Sequence, residues 1–117
     1  MRLLICAGRH YADTRQCRRV LDAFQRVHPV RVLIHGGNQH LGGVIEEWAR
    51  EQGIDIVRYP PNRQRHGKSA ERVRNRFMLL DSRADVVIAL PGGGDTEELI
   101  IQAGLAGLQT LSVASSL

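Results

Sequence analysis

The sequence predicts a three-layer α/β fold: one five-stranded parallel sheet with helices on both faces. Three observations lead there. Short apolar runs alternate with stretches of helical periodicity along the chain. The apolar runs are nearly continuous, as expected for strands buried on both faces. Joining parallel strands through helices of about ten to fifteen residues then requires right-handed crossovers. At 117 residues the chain is expected to form a single domain spanning residues 1–117.

The elements follow in order. Arg2 to Cys6, closed by Ala7 and Gly8, is the first predicted strand. Asp13 or Thr14 can cap a helix in which Cys17, Val20, Leu21, Phe24 and Val27 recur at helical spacing, until Pro29 ends it. "VRVLIH" (30–35) is the second strand, stopped by Gly36 and Gly37. Leu41, Val44, Ile45, Trp48 and Ala49 trace one face of a second helix that ends at Gly53. "IDIVRY" (54–59) is a third strand, and "PPNRQRHGKS" (60–69) a polar, proline-led loop. The third predicted helix starts at Ser69, with Ala70, Val73, Phe77 and Leu80 as its inner face. "ADVVIAL" (84–90) is the fourth strand. A glycine turn leads to a helix from about Thr96 to Leu108, and "TLSVA" (110–114) is the fifth strand.

The formal charge is +4, and the basic residues are fifteen arginines and Lys68 alone. Arginine favours planar, bidentate contact with phosphate or carboxylate, so an anionic partner is expected. Cys6 and Cys17 form no CxxC pair and have no metal-ligand spacing with the histidines; both read as buried thiols in a reduced, cytoplasmic setting. The apolar run in "MRLLICAG" is too short for a signal peptide or a membrane span, and no membrane association is expected. Nor is any cofactor or metal site.

Ligands of open parallel sheets bind beyond the carboxyl ends of the strands, beside the switch in strand order. Gly8, Gly36 with Gly37, and Gly92, Gly93 and Gly94 each follow a strand end. With strand order 3-2-1-4-5, the first and fourth strands flank the switch. Their loops, "AGRHY" and "PGGGDT", would then face each other across one crevice. Glycine lets backbone N–H groups approach an anion, and a following helix N-terminus adds partial positive charge. Thr96 supplies a hydroxyl there. Neither G-x-G-x-x-G nor the P-loop pattern is present, which disfavours an ordinary NAD enzyme or ATPase.

"GRHY", "HGG", "EWAREQGI", "RNRFML" and "PGGGDT", in this order, resemble the small YspA/YpsA-related branch of the SLOG superfamily. That superfamily is related to the LONELY GUY phosphoribohydrolases and to the Rossmann-like domain of DprA. The resemblance covers nearly the whole chain and implies a Rossmann-like fold with a pocket for a nucleotide or nucleotide-derived ligand. It also implies that Arg9 and Arg74 grip phosphate and that Asn75 bonds a base or sugar. The chain departs from the pattern where Gln39 stands for an arginine and Gly42 for an aspartate. In the phosphoribohydrolase motif, Asp95 replaces a glycine and Leu99 the glutamate. Glu97 and Glu98 are the nearest carboxylates, although a helix turns about 100° per residue, so Glu98 points elsewhere.

His35, at a strand end, reads as a partly buried residue bonding a backbone carbonyl. Trp48 reads as core or as a subunit contact. From Arg58 to Arg76, seven arginines and lysines accompany Glu71 alone, forming a basic rim better suited to a small anion than to nucleic acid. The leading expectation is therefore binding or sensing of a nucleotide or nucleotide-derived ligand. The alternatives are a phosphoribohydrolase-like enzyme cleaving the N-glycosidic bond of a nucleoside monophosphate, and DprA-like single-stranded DNA binding. "TEELIIQAGLAGL" is apolar almost all round, with Leu99, Ile100, Ile101, Leu105 and Leu108 on more than one face. A homo-oligomer, most simply a dimer, is expected.

Overall fold

The computed structural model describes residues 1–115. Strands β1 (Arg2–Cys6), β2 (Val32–His35), β3 (Asp55–Arg58), β4 (Val86–Ala89) and β5 (Gln109–Ser112) form one sheet in the order β3-β2-β1-β4-β5. Every pairing is parallel, with Leu3 opposite both Leu33 and Val86. The order reverses direction between β1 and β4, as the sequence predicts.

Helices α1 (Thr14–Val27) and α2 (Gly42–Glu51) pack together on one face of the sheet. Beneath them lies a core containing Leu3, Ile5, Leu21, Leu33, Trp48 and Ile88. Helices α4 (Ala70–Asp81) and α5 (Gly94–Leu105) pack together on the other face, over Leu4, Ile34, Met78, Val87 and Leu99. Alternation along β1, Leu3 and Ile5 to one side and Leu4 to the other, divides the two cores. This is the three-layer Rossmann-like architecture. Asp13 caps α1 by accepting from the Gln16 backbone N–H at 3.0 Å. Trp48 is fully buried and its indole N–H donates to Asp22 at 2.8 Å, so it belongs to the core.

Several local expectations are corrected. The loop 60–69 contains a one-turn helix, α3 (Arg63–His66), capped by Asn62, followed by a 3₁₀ turn at Gly67–Ser69. Helix α5 begins two residues before Thr96 and ends at Leu105. The most consequential change is in α4. Of its predicted inner face only Ala70 is buried; Val73, Phe77 and Leu80 are exposed, Leu80 at 83%. Glu71, Asn75 and Met78 face inward instead. The helix turns its polar side to the strand ends and its apolar stripe outward. Cys17 is buried, but Cys6 is only partly so and lines the cavity described below.

Among the described residues no helix is long and apolar enough to cross a membrane, and no group of His, Cys, Asp and Glu could hold a metal ion.

Candidate functional site

A cavity of about 710 Å³ opens at the C-terminal edge of the sheet. Its size falls in the range of small-molecule sites, roughly 300–1,000 Å³. The loops after β1, β2 and β4 and the first turns of α4 and α5 enclose it. Gly8, Arg9, Gly36, Gly37, Arg74, Asn75, Gly92, Gly93, Gly94 and Thr96 all line it. Glu97 and Glu98 do not: Glu97 is exposed, and Glu98 pairs with Arg72 at 3.0 Å and Arg76 at 3.5 Å.

The first and fourth loops do not stand apart across a crevice. They touch, with the Gly8 N–H donating to the Pro91 carbonyl at 3.0 Å. A Cβ on Gly8 would lie 2.6 Å from the Gly92 Cα, and one on Gly92 would lie 2.7 Å from the Gly8 N, so neither site admits a side chain without displacing the other loop. Asn38 ties in the second loop by donating to the Gly8 carbonyl at 2.8 Å. The three loops thus make one continuous floor. A Cβ on Gly93 or Gly94, by contrast, meets nothing within 4 Å. Here the absent side chains leave open space at the start of α5, where helix N–H groups lack intrahelical partners.

Arg74 crosses beneath the second loop. It donates to the carbonyls of Gly36 at 2.5 Å and Tyr59 at 3.1 Å, and to Asn75 Oδ1 at 2.7 Å. A side chain on Gly36 would collide with this guanidinium. Among the described residues Arg74 has no carboxylate within ion-pair distance. Burial lowers its pKa from the usual arginine value, yet an arginine stays charged at any physiological pH. Asn75, also buried, spends its amide on the Asp95 carbonyl at 3.3 Å. Arg9 is committed differently: it bonds Glu71 Oε1 through Nε at 3.0 Å and through a terminal nitrogen, and Arg63 joins the same oxygen at 3.0 Å. Burial pushes the Glu71 carboxyl up, but the bonds from Arg9 and Arg63 outweigh it and hold the group below the usual carboxylate range.

His35 differs from its expected role. It is buried, its Nε2 lies 2.8 Å from Glu46 Oε2, and its Nδ1 accepts the Gly37 N–H at 3.0 Å. Because Nδ1 accepts, the ring is neutral with its proton on Nε2, which donates to Glu46. Arg58 grips the same carboxylate with two 2.6 Å bonds. This triad, with His35 and Glu46 buried and Arg58 closing it from the surface, shapes the second loop, whose Gly37 has φ +75°. No sequence motif announces it; the four-residue offsets that mark helix pairs cannot reveal a pairing between a strand, a helix and a neighbouring strand.

The triad makes stability pH-dependent. Burial holds His35 below its ordinary 6.5, outweighing its bond to Glu46, so stability is expected to fall as the unfolded chain gains protons below that pH. The Arg58 bonds, against burial, pull Glu46 from 4.5 to about 2. The stability Glu46 contributes is therefore full above 4.5 and is lost as pH falls toward 2. Urea midpoints of Glu46→Gln should lie below wild type at pH 6, with the gap closing between pH 4.5 and 2. A gap independent of pH would refute this.

Burial also pushes the Cys6 thiol up to about 12, against the pull of Arg74, so this cavity-lining sulfur is a neutral thiol and not a poised nucleophile.

A model of the YspA, cpYpsA-related SLOG family matches residues 1–66, more than half of the chain, including the first two loops of the cavity floor. The chain belongs to this SLOG family. Neither the curated proteins nor the solved structures contain a match. SLOG membership supports a nucleotide-related ligand-binding or related function at the level of the family. The matched span stops before α4, so Arg74, Asn75 and the Gly92–Gly94 turn are placed beside it by the geometry of the cavity alone.

Proposed function

We propose that this SLOG protein binds a phosphate-bearing nucleotide or nucleotide derivative in the cavity at the sheet edge. The observation that carries the reading is Arg74, a largely buried guanidinium with no carboxylate partner among the described residues, set beside glycine loops. Its terminal Nη2 makes no hydrogen bond among those residues, which leaves a donor for an anion. The open backbone at Gly93 and Gly94 adds N–H groups and the positive end of α5. A stripe that binds nucleic acid is less favoured, because Arg58, Arg63, Arg72 and Arg76 of the basic rim are engaged by carboxylates of the same chain.

Gly93→Val is the sharpest probe, since Gly93 lines the cavity and a Cβ there would meet nothing of the fold within 4 Å. Wild type should gain thermal stability with AMP, rising with the logarithm of ligand concentration once this exceeds Kd. The variant should unfold at the wild-type temperature without ligand and gain nothing from AMP. Equal ligand stabilisation in both proteins would count against the site.

The same reading includes a twofold dimer. Val73, Phe77 and Leu80 on α4 and Ile101 and Leu105 on α5 are exposed, while Leu99 is buried and Ile100 and Leu108 are half-buried. The two helices lie side by side, bridged by Arg72 and Arg76 with Glu98. A rim carrying both signs of charge is complementary to a copy of itself, which favours a second copy of this chain as the occupant. Light scattering should give twice the 13.0 kDa chain mass at micromolar concentration, and Leu105→Asp should halve it. A wild-type monomer would exclude the dimer.

A further inference from the structure

Glu71 is one of two carboxylates lining the cavity; the other, Asp95, pairs with Arg72 at 3.4 Å. Glu71 is 9% exposed and lines the cavity with Arg74, one turn further along α4. Residues three apart on a helix have their Cβ atoms about 5–6 Å apart, so the two side chains present opposite charges to the same space. Arg9 and Arg63 both bond Oε1. Oε2 receives no hydrogen bond among the described residues. The buried side-chain atoms without partners among those residues are Ser82 Oγ and Thr110 Oγ1, so Oε2 remains accessible. The carboxylate thus has a saturated oxygen and an open one, and it is held ionised.

A ligand filling this space meets a free guanidinium donor at Arg74 and a free anionic acceptor one turn away. The first suits a phosphate. The second repels phosphate and requires a group that donates hydrogen bonds. In a nucleoside monophosphate the groups separated from the phosphate by a few bonds are the sugar hydroxyls. We propose that Glu71 is the sugar-reading residue of the cavity: Oε2 accepts from the ribose cis-diol of a ribonucleotide whose 5′-phosphate lies at Arg74. This rests on the nucleotide-binding reading above and adds that the site selects ribose over deoxyribose. The Arg9 and Arg63 clamp has a definite part. It keeps the carboxylate charged and offsets its repulsion of the phosphate.

The test is titration calorimetry with AMP, 2′-deoxy-AMP and inorganic phosphate. Wild type should prefer AMP over 2′-deoxy-AMP by about ten-fold or more, the worth of a hydrogen bond to a charged group. Glu71→Ala should bring the two affinities within about two-fold while inorganic phosphate binds at least as well as to wild type. Glu71→Asp, shorter but charged, should retain part of the preference. A residue that only braced the loops would weaken all three ligands together, and that result overturns the proposal. So does equal wild-type affinity for AMP and 2′-deoxy-AMP, which leaves the nucleotide reading standing. If wild type binds neither AMP nor phosphate, both fall. Should the Glu71 variants fail to fold, the wild-type preference decides alone.

Discussion

Arg74→Ala is expected to weaken AMP binding by roughly thirty-fold or more. Truncating one partner of a buried, hydrogen-bonded charge pair costs about 2–5 kcal/mol, and every 1.4 kcal/mol is about ten-fold in affinity. Here the bound phosphate would be the partner left behind. The fold is also expected to suffer, because the carbonyls of Gly36 and Tyr59 lose their donor. A buried acceptor left unsatisfied costs about 1–3 kcal/mol, less where cavity water can reach it. Arg74→Lys separates the two effects. It keeps the charge but loses the planar fork that serves two carbonyls and a ligand at once, so binding should be intermediate. Calorimetry with AMP, alongside urea denaturation of each variant, checks this. A folded Arg74→Ala protein with wild-type affinity would remove Arg74 from the site.

The second large effect concerns turnover. Incubated with AMP, the protein is expected to release adenine too slowly to be readily detected. In the phosphoribohydrolase motif the glutamate position is Leu99, which is buried, and the second-motif aspartate position is Gly42, also buried. Glu97 is exposed and Glu98 is engaged by Arg72 and Arg76 away from the cavity. Glu71 does face the cavity, but Arg9 and Arg63 hold it ionised, far from the pKa near 7 that suits a general acid or base at neutral pH. Positioned acid–base assistance is worth about 10²–10⁴-fold, so without it turnover should be lower by a factor of that order. Chromatographic detection of adenine gives the measurement. Rapid release that Glu71→Gln or Glu98→Gln abolishes would make this SLOG protein an enzyme and identify the carboxylate responsible.

The strands, their parallel arrangement and the position of the cavity at one sheet edge were legible because each depends on local pattern. Continuous apolar runs report strands buried on both faces, and glycines after strand ends report turns that approach a ligand or another loop. Asp13 as a cap is similarly local, being three residues from the N–H it serves. The face that α4 buries was not legible. Val73, Phe77 and Leu80 repeat at helical spacing, and periodicity shows that an apolar stripe exists without showing what it meets. The fold turns that stripe outward because Glu71, Arg74 and Asn75 have partners at the strand ends that solvent would not replace at equal strength.

What only the tertiary structure decided was which charges remain unpaired. Arg9 and Arg74 look alike in sequence, each an arginine beside a recognisable motif. Arg9 meets Glu71, 62 residues away, and is neutralised; Arg74 meets backbone carbonyls and keeps its charge uncompensated by any carboxylate at bonding distance among the described residues. His35 likewise became a structural ligand of Glu46 and Gly37 only when β2, α2 and β3 came together. Residue type and spacing determined that the glycine loops gather at one sheet edge, because backbone approach and strand ends are properties of short segments. Which arginines stay free of carboxylates followed from folding, because ion pairing depends on distances between segments far apart in the chain.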